Sequence, residues 1–541
     1  MIKKSTLRLL AVMLLILPLL MTSCKKDKDD EPEKPTPVNP KPEPEPNPEN
    51  NPETEVADYT IIFYGHGGGN LDCAILDNIS QFYEADAEAK KKVKVAIQFK
   101  FSPTDCLLEP ESNNLSYLDS LGETFGFNST EYAQKYGSAT FRYILDPTQN
   151  SEDDFYENLA TNLDGSLLED KNYAISNPQN LSDYIKWAAE QCPAKKYILI
   201  LSSHGGGYNP YEDKPVNSLT KGLLYDYGYP AQGLYPPHLS ANTLVDAINE
   251  SGIKPEIIYC DACLMNSVEY WFELKDVANY LILSSFCVPG SGGDYTTLVD
   301  QLATTDIETA LSSYCDATIA TWDEENYKYS DMTIARTSGF DNFGKACKKL
   351  TDKLIDAYQN GGEEVKKAMD EVTGGLVLKV SDQHPLYSFL TYAANMQDAA
   401  PEYITESLAD ELVSTYEDCI VNTVASAELT ANDWEIPCTV MLGSNNHFSI
   451  CQWDEPKEEG EEYTLIYRFE MNADGTLVIY DDQDEVISEG LWGSTFDDTY
   501  KKLKFDQATG WSRWIEINQQ EPQLESQASF NIDIIEFSGN E

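Results

Sequence analysis

Positive charge is scarce in this sequence. Lysine and arginine number 38 against 91 aspartates and glutamates, a formal net charge of −53. Such a chain repels phosphate backbones and anionic bilayer surfaces, so nucleic acid is excluded as a partner and cationic substrates suit it better. Histidine is rarer still, five in 541 residues, so each can be weighed singly as a base or ligand. No internal repeat is present. Beyond residue 20 there is no apolar run of the roughly 20 residues that a membrane span needs.

Several motifs are missing too. There is no Gly-x-Ser-x-Gly elbow, which argues against an α/β-hydrolase esterase, although the chain twice spells His-Gly-Gly-Gly. "CDAC", residues 260–263, has no second Cys-x-x-Cys to complete a zinc site. A thiol redox pair is disfavoured as well, because Cys260 ends an apolar run and is expected to point into the core. No EF-hand loop occurs. The twelve cysteines lack the spacing of a small disulfide framework, and without Cys24 they are odd in number. At least one free thiol is therefore expected, and outside the cytoplasm catalysis is one reason to keep it.

What is present begins with Lys3, Lys4 and Arg8, followed by the apolar stretch Leu9–Leu20. That is the length of a secretory signal core. "LMTSC" closes it and resembles the lipobox of bacterial lipoproteins, which implies that Cys24 becomes the lipidated first residue. The alternative is an ordinary signal peptide with an incidental cysteine. Residues 25–55 are charged, rich in proline and free of aromatics. They cannot bury a core and should form an extended tether. The expected organisation is a signal peptide at 1–23 and a lipid-bearing tether at 24–55. A main domain at 56–453, a small β insertion at 454–495 and an ending at 496–541 follow. The place implied is the bacterial envelope, at the outer membrane and exposed on the surface, held by the N-terminal lipid.

The main domain reads as α/β. "YTIIFY" (59–64), "VKVAIQF" (93–99), "YILILS" (197–202), "PEIIYC" (255–260) and "YLILSS" (280–285) have the length and apolar content of buried parallel strands. Helical patterns lie between them, over Cys73–Lys90, Leu181–Gln191, Ser240–Glu250 and Met265–Val277. The alternation predicts a mostly parallel sheet flanked by helices. Residues 300–430 read as mainly helical. From about 438 short strands take over, with "NADGT" as a hairpin turn.

In open parallel sheets, active residues gather in loops at the carboxyl ends of strands. Three loops qualify: "GHGGGN" (65–70), "SHGGGY" (203–208) and "DACLMN" (261–266). A cysteine attacks acyl groups as thiolate and needs a base nearby, usually histidine. Cys263 follows one strand and His204 another, so neighbouring strands would set them across one cleft. Gly205 has no side chain to keep a carbonyl group from its N–H. The N–H of Cys263, near an expected helix start, can join it in holding an oxyanion. Taken singly, Cys263 could be a buried cysteine and His204 a turn histidine.

"ILILSSHGGGY" followed by "IIYCDACLMNSVEYWFEL" resembles the clostripain-like cysteine peptidases, family C11 of the caspase-like clan. "YTIIFYGHGGGNLDCAILDNISQF", with its Asn70-Leu71 pair, resembles the family's first strand and loop. "YLILSSFCVPGSGGDYTTLVDQL", "HPLYSFLTYA" and "TGWSRW" resemble later segments, so the likeness spans roughly 57–515. It implies a caspase-like fold with a helical C-terminal portion. It further implies a Cys263–His204 dyad with no third member, a cysteine endopeptidase, and protein or peptide substrates with Arg or Lys before the cleaved bond. Asp261 matches the family's specificity acid, and its other reading is a helix cap. The second acid of relatives is missing from "SSFCVPG", which leaves strict basic preference to Asp294 or an acid elsewhere. The family does not require a histidine at position 66, so His66 is expected to fill a turn, the alternative being that it lines the cleft. His238, His384 and His447 read as loop or structural residues. No cofactor is required. Calcium, which some relatives need, could bind the acidic runs 454–462 and 481–485. Relatives can also cut themselves in the loop after the histidine, behind a basic residue. Here Lys214 precedes proline, which leaves the Lys221–Gly222 bond. The alternative to a peptidase is a non-catalytic surface lipoprotein, an adhesin or glycan-binding protein on the same scaffold.

Overall fold

The computed structural model describes residues 56–110, 112–170, 172–206, 222–228, 237–327, 330–375, 389–431, 449–454, 464–471, 476–480, 486–491 and 500–518. The leader, Cys24, the tether, Lys214, Lys221, His384 and His447 lie outside them.

Eight strands form the main sheet: β1 (Ala57–His66), β2 (Val93–Lys100), β3 (Thr140–Ile144), β4 (Ala194–Ser202), β5 (Ile257–Asp261), β6 (Tyr280–Leu283), β7 (Asp331–Arg336) and β8 (Ile420–Ala425). Their order is β3-β2-β1-β4-β5-β6-β7-β8. The five in the middle, β2 to β6 in that order, run parallel. At the edges β3, β7 and β8 join antiparallel.

The central strands are apolar on both sides because both sides are covered. Side chains alternate across a strand, so Ile62, Tyr64, Leu199, Leu201, Ile258 and Cys260 enter one core. Ile61, Phe63, Ile198, Ile200, Ile257 and Tyr259 enter the other. Helices Pro178–Gln191, Ala241–Ser251, Val268–Leu274 and Phe340–Asn360 cover the first face; Asp72–Glu84, Tyr295–Thr304 and Ile307–Glu324 cover the second. Trp271, fully buried, stacks on Phe340 at 4.8 Å; truncating a ring so placed typically costs about 3–5 kcal/mol. Cys260 points into the first core, as expected. Among the described residues no helix is long and apolar enough to cross a membrane.

Besides the edge strand β3, which the sequence reading does not foresee, the structure departs from it in three places. The 300–430 region is helical over most of its described length but contributes β7 and β8, two edge strands of six residues each. The helix expected at Met265 starts at Val268, behind the Ser267 cap. Before it, Leu264 takes a left-handed conformation, φ 65°, which costs a bulky residue about 1–3 kcal/mol. The strain is held because Leu264 N–H donates to Phe286 O (3.0 Å), Asn266 N–H donates to Ser284 O (3.0 Å), and the Leu264 side chain is buried. Lastly, the late strands β9 (Ser449–Asp454), β10 (Thr464–Met471), β11 (Thr476–Tyr480) and β12 (Val486–Leu491) form a separate antiparallel sheet. It begins before the expected boundary at 454.

Candidate active site

Strand register decides which loops meet. β1 places Gly65 beside Ser202 of β4, and β4 places Ser202 beside Asp261 of β5. All three strands run the same way, so the loops after them emerge side by side. Contact between the second and third is close: a Cβ on Gly205 would lie 2.9 Å from the Cys263 nitrogen. Only glycine fits there. His204, one residue before Gly205, and Cys263 therefore stand at adjacent loops, each partly exposed.

The first loop packs on His204. Gly68 (φ 55°) faces the imidazole, where a Cβ would come within 2.7 Å of the ring. Asn70 Oδ1 lies 2.7 Å from His204 Nε2. The expected turn role of His66 does not hold. His66 is the buried last residue of β1, with Nδ1 2.8 Å from Lys100 O and Nε2 4.0 Å from Asp226. The strand runs two residues longer than its apolar run, and that draws His66 inside. Of the two His-Gly-Gly-Gly loops, the second carries the accessible imidazole and the first forms its bed.

The local environment disfavours an ion pair at rest. Burial, with a smaller push from His66, lowers His204 to about 4. The Cys263 thiol is pushed well up, first by hydrogen bonding with the Cys287 thiol and then by burial. Val288 N–H, at 3.3 Å from Sγ, works in the opposite direction by favouring thiolate. The segment after β6 that carries Cys287 is anchored by Asp331, which accepts from Ser285 N–H (2.7 Å) and Phe286 N–H (3.0 Å).

Asp261 ends β5 and caps no helix. Its carboxylate is buried and accepts from Ser202 Oγ (3.0 Å), Tyr259 OH (2.9 Å) and Tyr295 OH (2.6 Å). Burial raises its pKa, and the three hydroxyls offset this only in part. Asp294 serves as a cap, accepting from Thr297 N–H at 2.9 Å. His238 is a loop residue whose ring packs on Tyr225.

The segment that follows residues 207–221 returns to the site. Gly206 N–H donates to Gly222 O (2.9 Å), and Leu223 bridges both Gly205 and Leu239. Farther along, buried Asp226 pairs with Lys100 Nζ (2.5 Å) and accepts from Ile175 N–H (2.8 Å). Among the described residues no three His, Cys, Asp or Glu side chains are grouped as metal ligands. The acidic run 481–485 and all of 454–462 except Asp454 lie outside the described residues.

A model of the clostripain family of peptidases, C11, matches residues 129–516, most of the chain and all of the second and third loops. The chain belongs to the clostripain family. It is thus a cysteine peptidase. None of the curated proteins compared matches it. Among solved structures, a secreted C11 cysteine protease from Bacteroides thetaiotaomicron, iotapain, is similar at 18% identity. That likeness covers 69% of this chain and 87% of that one, with a TM-score of 0.46. An inactive zymogen C11 protease from Parabacteroides distasonis is similar at 13% identity, covering 85% and 99%, also with a TM-score of 0.46.

Two residues of this clostripain-family site escaped the sequence reading. Asn70 follows three glycines at a strand end, which reads as turn chemistry until the neighbouring strand is known to be β4. Cys287 looked like a departure from an acidic position; only the fold brings its thiol to Cys263.

Proposed function

We propose that this peptidase is an endopeptidase cleaving after Arg or Lys, with Cys263 as nucleophile and His204 as base. The observation that carries the reading is the joining of their loops through Gly205. His204 takes the proton of the Cys263 thiol as Sγ attacks the scissile carbonyl. The oxyanion falls to the N–H groups of Gly205 and Cys263, neither of which has an acceptor among the described residues. Each such donor is worth roughly 3 kcal/mol. His204 then protonates the leaving amine, and water hydrolyses the thioester.

Basic preference is assigned to Asp261. All of its hydrogen-bond donors are hydroxyls, and no cation is paired with it among the described residues. A buried carboxylate without a counter-ion is destabilised, and a substrate guanidinium or ammonium group would supply one. Asp261→Asn keeps the size and most of the hydroxyl contacts. It is expected to lower kcat/KM for Arg and Lys substrates about 100-fold, with neutral substrates little changed and melting temperature held. Undiminished cleavage after Arg and Lys in this variant would remove Asp261 from the specificity site.

The peptidase is proposed to hang from the outer membrane by a lipid on Cys24, exposed at the surface, supported by the leader and the tether composition. Radiolabelled palmitate should enter the full chain and not Cys24→Ser; equal labelling of the two would refute it. The chain is also proposed to process itself at Lys221–Gly222.

A further inference from the structure

We infer that Asn70 is a positioning residue of the site, holding the His204 ring with its proton on Nε2 so that Nδ1 is left as the free base. This rests on His204 being the base in the proposed mechanism.

Imidazole has two nitrogens, and in the neutral ring one carries the proton. A base must present the other. Asn70 Oδ1, 2.7 Å from Nε2, is an acceptor and selects the Nε2–H tautomer. The reverse amide orientation would donate to Nε2, place the proton on Nδ1 and leave no base for the thiol. An amide also selects the tautomer without adding charge, so it does not stabilise the imidazolium as a carboxylate would. Burial and His66 therefore keep His204 low, at about 4, with nothing from Asn70 to oppose them.

The loop that carries Asn70 is built to hold still. Gly69 N–H donates to Ser102 Oγ (2.9 Å), and Asn114 Nδ2 donates to Gly69 O (3.0 Å). Leu71 N–H closes the turn on Gly67 O (2.8 Å). Beneath it, buried Asp72 accepts from Ser102 N–H (2.8 Å), Ser102 Oγ and Asn114 Nδ2 (3.3 Å). The left-handed Gly68 and Gly69 (φ 101°) let the backbone pass under the ring. The first His-Gly-Gly-Gly-Asn run is thereby tied to the second through one hydrogen bond and one bare Cα.

The experiment compares the full chain with Asn70→Ala, Asn70→Asp and His204→Ala, measuring kcat, KM, melting temperature and the pH profile on a Lys-amide peptide. Asn70→Ala is expected to lose roughly 30- to 100-fold in kcat with KM within twofold, since general-base help is worth about 10²–10⁴-fold in all. Asn70→Asp restores the acceptor with a charge. It should recover most of kcat and move the acid limb of kcat/KM at least one pH unit upward from about 4. Wild-type kcat in Asn70→Ala beside a dead His204→Ala overturns the role of Asn70 alone. So does an Asn70→Asp enzyme that is as slow as Asn70→Ala with an unmoved acid limb. Full activity in His204→Ala removes the base itself, and the proposal goes with it.

Discussion

Cys263→Ala is expected to abolish peptide-bond cleavage, with kcat lower by roughly 10⁴-fold or more, the scale seen when the nucleophile of a cooperating set is removed. Stability should barely move. Cys263 is only partly buried, and the substitution leaves Val288 N–H without its sulfur acceptor, a loss on the order of 1 kcal/mol. Hydrolysis of a Lys-amide peptide and melting temperature, measured on one preparation, separate chemistry from folding. An active-site-directed alkylating peptide should label the wild type at one cysteine and spare the variant. Cys287 is the informative control, because its thiol sits against Cys263. If Cys263→Ala still hydrolyses the substrate at the wild-type rate, the nucleophile is misassigned. If labelling passes to Cys287 and activity persists, Cys287 replaces Cys263 in that role.

The parallel centre of the sheet was legible because covering both faces forces β1, β2, β4, β5 and β6 to be apolar throughout. Their carboxyl ends then marked the loops that matter, and His204 and Cys263 lie where that logic put them. The edges were not legible. β7, "DMTIAR", and β8, "IVNTVA", are six residues each, too short for alternation to outweigh long helical patterns on either side. β3, "TFRYI", is half-exposed over three of its five residues and gave no apolar run. The turn at Leu264 was hidden for another reason. Its left-handed backbone is imposed by bonds to Phe286 and Ser284, and leucine itself signals no turn. Asn70 belongs to a third class: its partner is 134 residues away, and only the pairing of β1 with β4 brings them together.

Self-cleavage should leave the wild-type enzyme as two polypeptides, ending at Lys221 and beginning at Gly222, and Cys263→Ala as one. Gly222 is held at the site, its carbonyl on Gly206 N–H, one residue from the proposed oxyanion donor Gly205. Gly222 is thus held near the loop of His204 and Gly205, and a bond presented from within the same chain gains many kcal/mol over a bimolecular encounter. Cutting there should be first order and unaffected by dilution. The new Gly222 end has no reason to leave. Leu223 pairs with Leu239, and Asp226 is locked to Lys100 and Ile175. The two polypeptides stay joined through β4 and β5, which pair in parallel from Ile198–Ile257 to Ser202–Asp261. The cut leaves residues 207–221 attached at one end only. Intact-mass analysis of both proteins over a dilution series reads this directly. Lys221→Ala, which removes the basic residue, should remain one chain and lose roughly 10²-fold in kcat/KM, the amount by which a misplaced group near the chemistry can slow it. A single uncut wild-type chain with full activity would end the idea. A cutting rate that falls in proportion to enzyme concentration would leave the site of cleavage standing and rule out cleavage in cis.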